Sequence, residues 1–182
     1  MRRIESDADI TEGLAALAAT DRRLQRIIDE AGPIPLRRSP PGFAAMVSII
    51  TAQQISRASA DAILGRFSSL VDPLDPESVL ACGDEPFRAA GMSRPKQTTL
   101  TALARAVIDG QLDFSQLADL SAGEARAKLT SIHGIGPWTA DVYLLIAAGH
   151  VDVFPAGDVA LQGAVADALG LDSRPSSKEL TV

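Results

Sequence analysis

Two stretches of the sequence hold residues whose types and spacing suit chemistry. In Ile132-His133-Gly134-Ile135-Gly136-Pro137-Trp138-Thr139-Ala140-Asp141, two glycines precede a proline and an apolar run. In Asp152-Val153-Phe154-Pro155-Ala156-Gly157-Asp158, a Pro/Gly loop ends on a carboxylate. The glycines permit a tight turn with positive φ. Proline at the first helical position opens the next helix, whose unpaired N–H groups suit a phosphate oxygen. Asp158 stands at the start of a further helix, where the dipole favours the ionised carboxylate. Such a group can stabilise an oxocarbenium-like sugar and orient a water, as in glycoside cleavage. A backbone anion grip followed by one placed acid points to an enzyme acting on a phosphate polymer. The plain alternatives are an ordinary helix–turn–helix corner and an aspartate that only caps its helix.

Helices must position both stretches. Ile10 to Leu17 reads as a short amphipathic helix with Thr11 or Asp9 as cap, and Asp21 to Ala31 as a second, stopped by Gly32-Pro33. Gly42 to Leu70 is the longest apolar-periodic run. The polar insert Thr51 to Ser56 predicts a break there, with Ser56 capping the second half. Pro76 opens a short helix. The turn Gly91 to Lys96 feeds another through Ile108, and Leu112 to Leu120 forms a short helix and turn. Ser121 and Glu124 have capping-box spacing for a helix through Ser131. The hairpin helix from Pro137 is expected to reach about Ala148, and the helix from Asp158 to reach Leu169. Val151 to Phe154 is too short for a strand, so the fold class is all-α.

Composition narrows the function classes. The 182 residues are 46% hydrophobic and 4% aromatic, with one cysteine, Cys82. That favours one Ala/Leu-rich helical core, or two lobes sharing it, and excludes a disulfide framework or a four-cysteine cluster. His150 and Asp152 lack a third ligand at metal spacing. No apolar run has membrane-span length and the start is charged, so a cytoplasmic protein is expected, nucleoid-associated if bacterial. The net charge is −6 and the pI about 4.9, against a general nucleic-acid binder. Yet fourteen basic residues are Arg and only three Lys, which suits a small, focused phosphate contact.

The order helix, glycine hairpin, helix, Pro/Gly loop and aspartate resembles the helix-hairpin-helix–Gly/Pro/Asp DNA glycosylases. Gly134 to Ala140 and Asp152 to Asp158 are similar to the 3-methyladenine-DNA glycosylase II branch. So are Ser48-Ile49-Ile50-Thr51-Ala52-Gln53-Gln54-Ile55-Ser56 and Gly91-Met92-Ser93-Arg94-Pro95-Lys96. The likeness runs from about Phe43 to the end. It implies a two-lobed helical bundle, with N-terminal helices in residues 1–42 packed on a core of residues 43–182. That core holds the hairpin at 129–141 and the catalytic loop at 152–158.

The resemblance implies roles residue by residue. Asp158 would be the catalytic carboxylate, and Gln54 the wedge filling the gap left by a flipped nucleotide. Backbone N–H groups around Gly134, Gly136 and Trp138 would hold a DNA phosphate, and Thr139 would be a further DNA contact. Outside the resemblance, His133 either faces DNA or is a solvated turn residue, and Arg94 and Lys96 either contact backbone phosphate or are solvated on their turn. Carbonyls of Thr130, Ile132 and Ile135 would ligate a monovalent cation, Na+ or K+, and catalysis would need no cofactor. Trp138 occupies the position where bifunctional relatives carry a Schiff-base lysine, which implies a hydrolytic enzyme without a lyase step. It would line the base pocket and favour a cationic alkylated purine, while Tyr143 is read as either a core residue or a wall of that base pocket. The partner would be double-stranded DNA containing alkylated bases.

Family members continue past Val182 with helices carrying a Trp-Pro and an Arg-containing segment. The chain is therefore expected to be C-terminally truncated, with Ser176 or Ser177 starting a helix that stops after one turn. That would expose Val159, Leu161, Val165 and Leu169, lower stability and favour self-association. A second expectation follows: a DNA-binding or lesion-sensing module without turnover. A helical protein-interaction domain would fit the acidic pI but leaves the hairpin-to-aspartate order unexplained.

Overall fold

Helix caps and breakers divide the chain as their chemistry dictates. The computed structural model describes residues 2–181. Its described residues form α1 (Asp7–Thr20), α2 (Arg22–Ala31), α3 (Phe43–Ala52), α4 (Arg57–Leu70), α5 (Pro76–Ala81), α6 (Glu85–Ala90), α7 (Arg94–Ile108), α8 (Phe114–Leu117), α9 (Ala122–Thr130), α10 (Pro137–Tyr143) and α11 (Val159–Leu169). The fold is all-α; the only extended pairing among the described residues is an isolated bridge between Arg3 and His150.

Ser56 caps α4 by accepting the Ser59 N–H, so the long apolar run is indeed two helices. Ser121 and Glu124 form the expected capping box on α9. Three boundaries differ from the sequence expectations. Helix α1 starts earlier, because Ser6 rather than Thr11 or Asp9 is its N-cap, with Asp9 returning the bond to the Ser6 backbone. Helix α6 is absent from the expected elements; like α5 it is too short for a periodic signal, and Pro86 in its first turn is the mark that would have shown it. Helix α10 is α-helical only to Tyr143. Leu144–Ala148 continues it as a π-helical turn, which Gly149 ends at φ 76°.

Helices α3 to α10 enclose the core, built from Met46, Val47, Ile50, Phe67, Leu100, Leu103, Leu129, Tyr143, Leu144 and their neighbours. Helix α3 is central and packs on α4, α7 and α10, while α9 packs on α10. The N-terminal pair α1 and α2 packs mainly on itself and contributes no fully buried residue. It is tied to the core by the Ile4 N–H to the Gly149 carbonyl (2.8 Å) and by Arg3 to Asp119 (2.7 Å).

Helix α11 is covered more fully than the sequence implied. Val159 is 60% exposed, but Leu161, Val165 and Leu169 are half-buried. The chain after α11 folds back on it: buried Gln162 donates to Ser177 Oγ (3.2 Å), and Pro175 is buried. Ser176 and Glu179 exchange capping bonds around a turn rather than opening an exposed helix. The expected self-association rested on a bare apolar face, and of its four residues Val159 alone is exposed.

Candidate active site

The hairpin between α9 and α10 is shaped by glycine where it has to be. Gly134 sits at φ 81°, and a Cβ there would lie 1.8 Å from Thr99 Oγ1 on α7. Gly136 has an ordinary φ of −87° and is the N-cap of α10. The Ile135 N–H closes the turn on the Ile132 carbonyl (3.1 Å). The N–H groups of Gly136, Trp138 and Thr139 precede the first intrahelical donor, Ala140, and have no acceptor in their own helix. Arg126 on α9 donates to Asp141 on α10 (2.5 Å), fixing the two helices against each other. Asp141 is buried, and this cross-hairpin partner neutralises it.

The loop before α11 delivers the acid. Val153, Pro155 and Ala156 are buried and anchor it. The Asp158 N–H closes a turn on the Pro155 carbonyl (2.8 Å). Gln162, one turn into α11, donates back to the Ala156 carbonyl (2.7 Å). That buried glutamine escaped notice, and its signal was a polar residue within an otherwise apolar helix.

Asp158 both caps α11 and faces a cleft. Its Oδ1 accepts the Leu161 N–H (2.9 Å), and its Oδ2 accepts the Trp138 indole N–H (2.8 Å). The Leu161 N–H, with the Trp138 indole, holds the carboxyl below the usual carboxylate range, against the opposing effect of partial burial. The cleft has a volume of about 750 Å³. Gly134, Gly136, Trp138 and Asp158 line one part of it, and the α3–α4 turn with Gln53 and Gln54 lines the other.

The other residues divide between cleft and interior. Gln54 is exposed on the turn, and His133 is exposed on the hairpin. The hairpin residues Thr130 to Gly136 border a separate surface depression that includes Ile132 and Ile135. Thr139 is 2% exposed, and its hydroxyl accepts the Gln53 amide (2.8 Å), so its side chain braces the α3–α4 turn. Tyr143 does not line the cleft. It is fully buried, its hydroxyl accepts the Gly42 N–H (2.9 Å), and burial pushes its phenol up to about 12. Lys96 is not a DNA contact either. Its side chain is buried and donates to the Thr51 carbonyl (2.7 Å), because the turn of α7 aims it under α3. Arg94 is exposed and pairs with Asp84 (3.3 Å).

A helical bundle with a glycine hairpin, a Pro/Gly loop and one carboxylate in the cleft between them defines the helix-hairpin-helix class. The HhH-GPD superfamily base excision DNA repair protein model matches residues 47–181, and the chain belongs to that superfamily. It is 24% identical over 184 residues to the alkylbase DNA glycosidase-like protein mag2 of Schizosaccharomyces pombe, spanning 97% of this chain and 86% of that one. It is 29% identical over 153 residues to DNA-3-methyladenine glycosylase 1 of the same yeast, spanning 82% and 67%.

Solved structures agree. The S. pombe 3-methyladenine DNA glycosylase in complex with abasic DNA superimposes with a TM-score of 0.84 at 26% identity, covering 92% of this chain and 84% of that one. A DNA-3-methyladenine glycosidase from Bacillus halodurans gives 0.80 at 35% identity, covering 99% and 82%. Archaeoglobus fulgidus 3-methyladenine DNA-glycosylase shares the fold, with a TM-score of 0.75 at 22% identity over 97% of this chain and 62% of that one.

Proposed function

We propose that this protein is a monofunctional DNA N-glycosylase that removes alkylated purines such as 3-methyladenine from double-stranded DNA in base excision repair. The observation that carries this reading is the placement of Asp158. Its carboxylate is bonded to Trp138 and shares one cleft with the hairpin glycines and Gln54.

The hairpin N–H groups seat a backbone phosphate, and the target nucleotide leaves the stack to reach the cleft. The Trp138 ring lies beside the base and favours a cationic alkylated purine. As the N-glycosyl bond breaks, its electron pair leaves with the base and cancels the positive charge. Asp158 stabilises the oxocarbenium-like sugar. Water adds to the sugar carbon and gives up a proton, leaving an abasic site and a free base. Both Asp158 oxygens already accept hydrogen bonds, so its part is a fixed negative charge beside the sugar. No amine stands at Trp138, so no Schiff base forms and the strand stays intact.

Thr130, Ile132 and Ile135 line one concavity of the hairpin, and their backbone carbonyls would hold a monovalent cation there, since neutral oxygens suit Na+ or K+ better than a transition metal. Such an ion would supply positive charge next to the bound phosphate. Among the described residues no helix is long and apolar enough to cross a membrane. A nucleoid-associated or other DNA-proximal location follows from the substrate.

The test is release of free methylated purine from alkylated duplex DNA, with strand cleavage appearing only after alkali. Binding of abasic-analogue DNA without any base release would identify a lesion-sensing module instead. Trp138→Phe keeps a ring in the wall and deletes the N–H to Asp158. A hydrogen bond to a charged acceptor is worth about 1.5–3 kcal/mol. With that bond lost the carboxyl pKa rises. The carboxylate is the active form, so the acid limb of the pH–rate profile moves to higher pH. An unchanged acid limb would show that the indole bond does not tune Asp158.

A further inference from the structure

Gln54 is the one non-glycine residue among the described ones with positive φ, 58°. L-residues take up that conformation when their surroundings impose it. Here both neighbours of the wedge turn are held. On one side the Lys96 Nζ donates to the Thr51 carbonyl (2.7 Å) in the last turn of α3. Carbonyls there lack intrahelical partners, and the helix dipole favours a cation. Lys96 is 9% exposed, and no acidic side chain among the described residues pairs with it. On the other side the Gln53 amide donates to Thr139 Oγ1 (2.8 Å) and reaches the Gly134 carbonyl (3.4 Å). Thr99, almost one turn after Lys96 on α7, packs directly against Gly134. One rigid helix therefore supports the wedge turn through Lys96 and the hairpin through Thr99, and Gln53 closes the triangle.

We propose that Lys96, Gln53 and Thr99 are positioning residues that lock the wedge turn and the phosphate-gripping hairpin into one rigid unit, so that seating a DNA phosphate and inserting Gln54 into the duplex occur as one step. This rests on the glycosylase reading of the same cleft. If the lock is released, the hairpin still holds DNA, but the neighbouring bases stay stacked and extrusion becomes unfavourable.

The probe is a duplex holding a tetrahydrofuran abasic analogue beside 2-aminopurine, whose fluorescence rises when its stacking is broken. Binding is followed by anisotropy and unstacking by fluorescence, for the wild type, Lys96→Met, Lys96→Arg and Gln53→Ala. Lys96→Met and Gln53→Ala are expected to bind within about threefold of the wild type while losing at least about half of the fluorescence rise. Lys96→Arg is expected to restore it. On alkylated DNA the same two variants should lose about tenfold in excision from a base-paired site. The loss should be under about threefold when the lesion sits in an unpaired bulge that needs no extrusion. Gln53→Ala carries the test if Lys96→Met fails to fold, because Gln53 is a half-buried turn residue.

A full fluorescence rise in both variants, a wild type that binds without a rise, or equal losses on duplex and bulge would overturn the lock. A wild type that unstacks the probe but releases no base would sink the glycosylase reading and leave the lock standing.

Discussion

Asp158→Asn is expected to abolish most base release, by about 10²-fold or more, because it removes the one charge placed beside the developing oxocarbenium. The substitution is close to isosteric. The amide oxygen can still accept one of the two bonds, from Leu161 or from Trp138, so α11 stays capped and the cleft keeps its shape. Binding to abasic-analogue DNA should therefore change little, since the hairpin N–H groups and Gln54 are untouched. Single-turnover release of methylated purine, measured beside the binding constant, separates the two. Equal release by both proteins would remove Asp158 from the chemistry.

The pH dependence follows from the same bonds. The Leu161 N–H and the Trp138 indole depress the folded-state pKa of Asp158. The carboxylate thus contributes stability above its unfolded pKa, and that contribution is lost as pH falls through the lowered folded value. Activity carried by the ionised form should persist on the acid side to pH values below the ordinary aspartate pKa. Asp158→Asn should lack this acid-side loss of stability.

Gly134→Ala should be the most damaging single change in the hairpin. An alanine at φ 81° costs about 1–2 kcal/mol, and forcing a methyl into a filled space costs about 1–3 kcal/mol more. The new Cβ would meet Thr99 Oγ1 at 1.8 Å, and that hydroxyl is itself bonded to the Pro95 carbonyl (3.0 Å). Relief must therefore come from moving the hairpin away from α7. A loss of about 2–5 kcal/mol lowers the Tm by roughly 4–20 °C in a domain of this size. Affinity for abasic-analogue DNA should fall with it, because the N–H groups proposed to hold the phosphate lie just after the displaced residue. Gly136→Ala is the control. Its φ is −87° and nothing lies within 4 Å of a Cβ there, so its cost should stay within about 1 kcal/mol. Matching losses at the two glycines would contradict the assignment of Gly134 as the conformationally required one.

Much of this site was legible before any coordinates. Gly134, Gly136, Pro137 and Asp158 reveal themselves because turns, helix starts and caps are decided by residues within a few positions of one another. The break at Thr51 to Ser56 was legible for the same reason, since Ser56 caps its helix through Ser59. The six-residue α6 was not read, although Pro86 in its first turn is the same kind of mark as the Pro76 that reveals the equally short α5.

Side-chain destinations were the weaker part. Lys96 reads in sequence as an exposed cation on a turn before a helix, either solvated or on a phosphate. Its partner, the Thr51 carbonyl, is 45 residues away, and only the packing of α7 under α3 turns it inward. Tyr143 could be core or pocket wall from the sequence, and Gly42, 101 residues earlier, decides for the core by supplying its hydrogen bond. Asp141 found Arg126 across the hairpin. The sequence by itself determined the helices, the hairpin backbone and the acid at the start of α11, all products of short-range sterics and capping. Only the tertiary structure decided which polar side chains face the cleft and which hold it in shape. That depends on how distant helices pack, and a buried polar group must find its partner wherever the fold brings one within hydrogen-bonding distance.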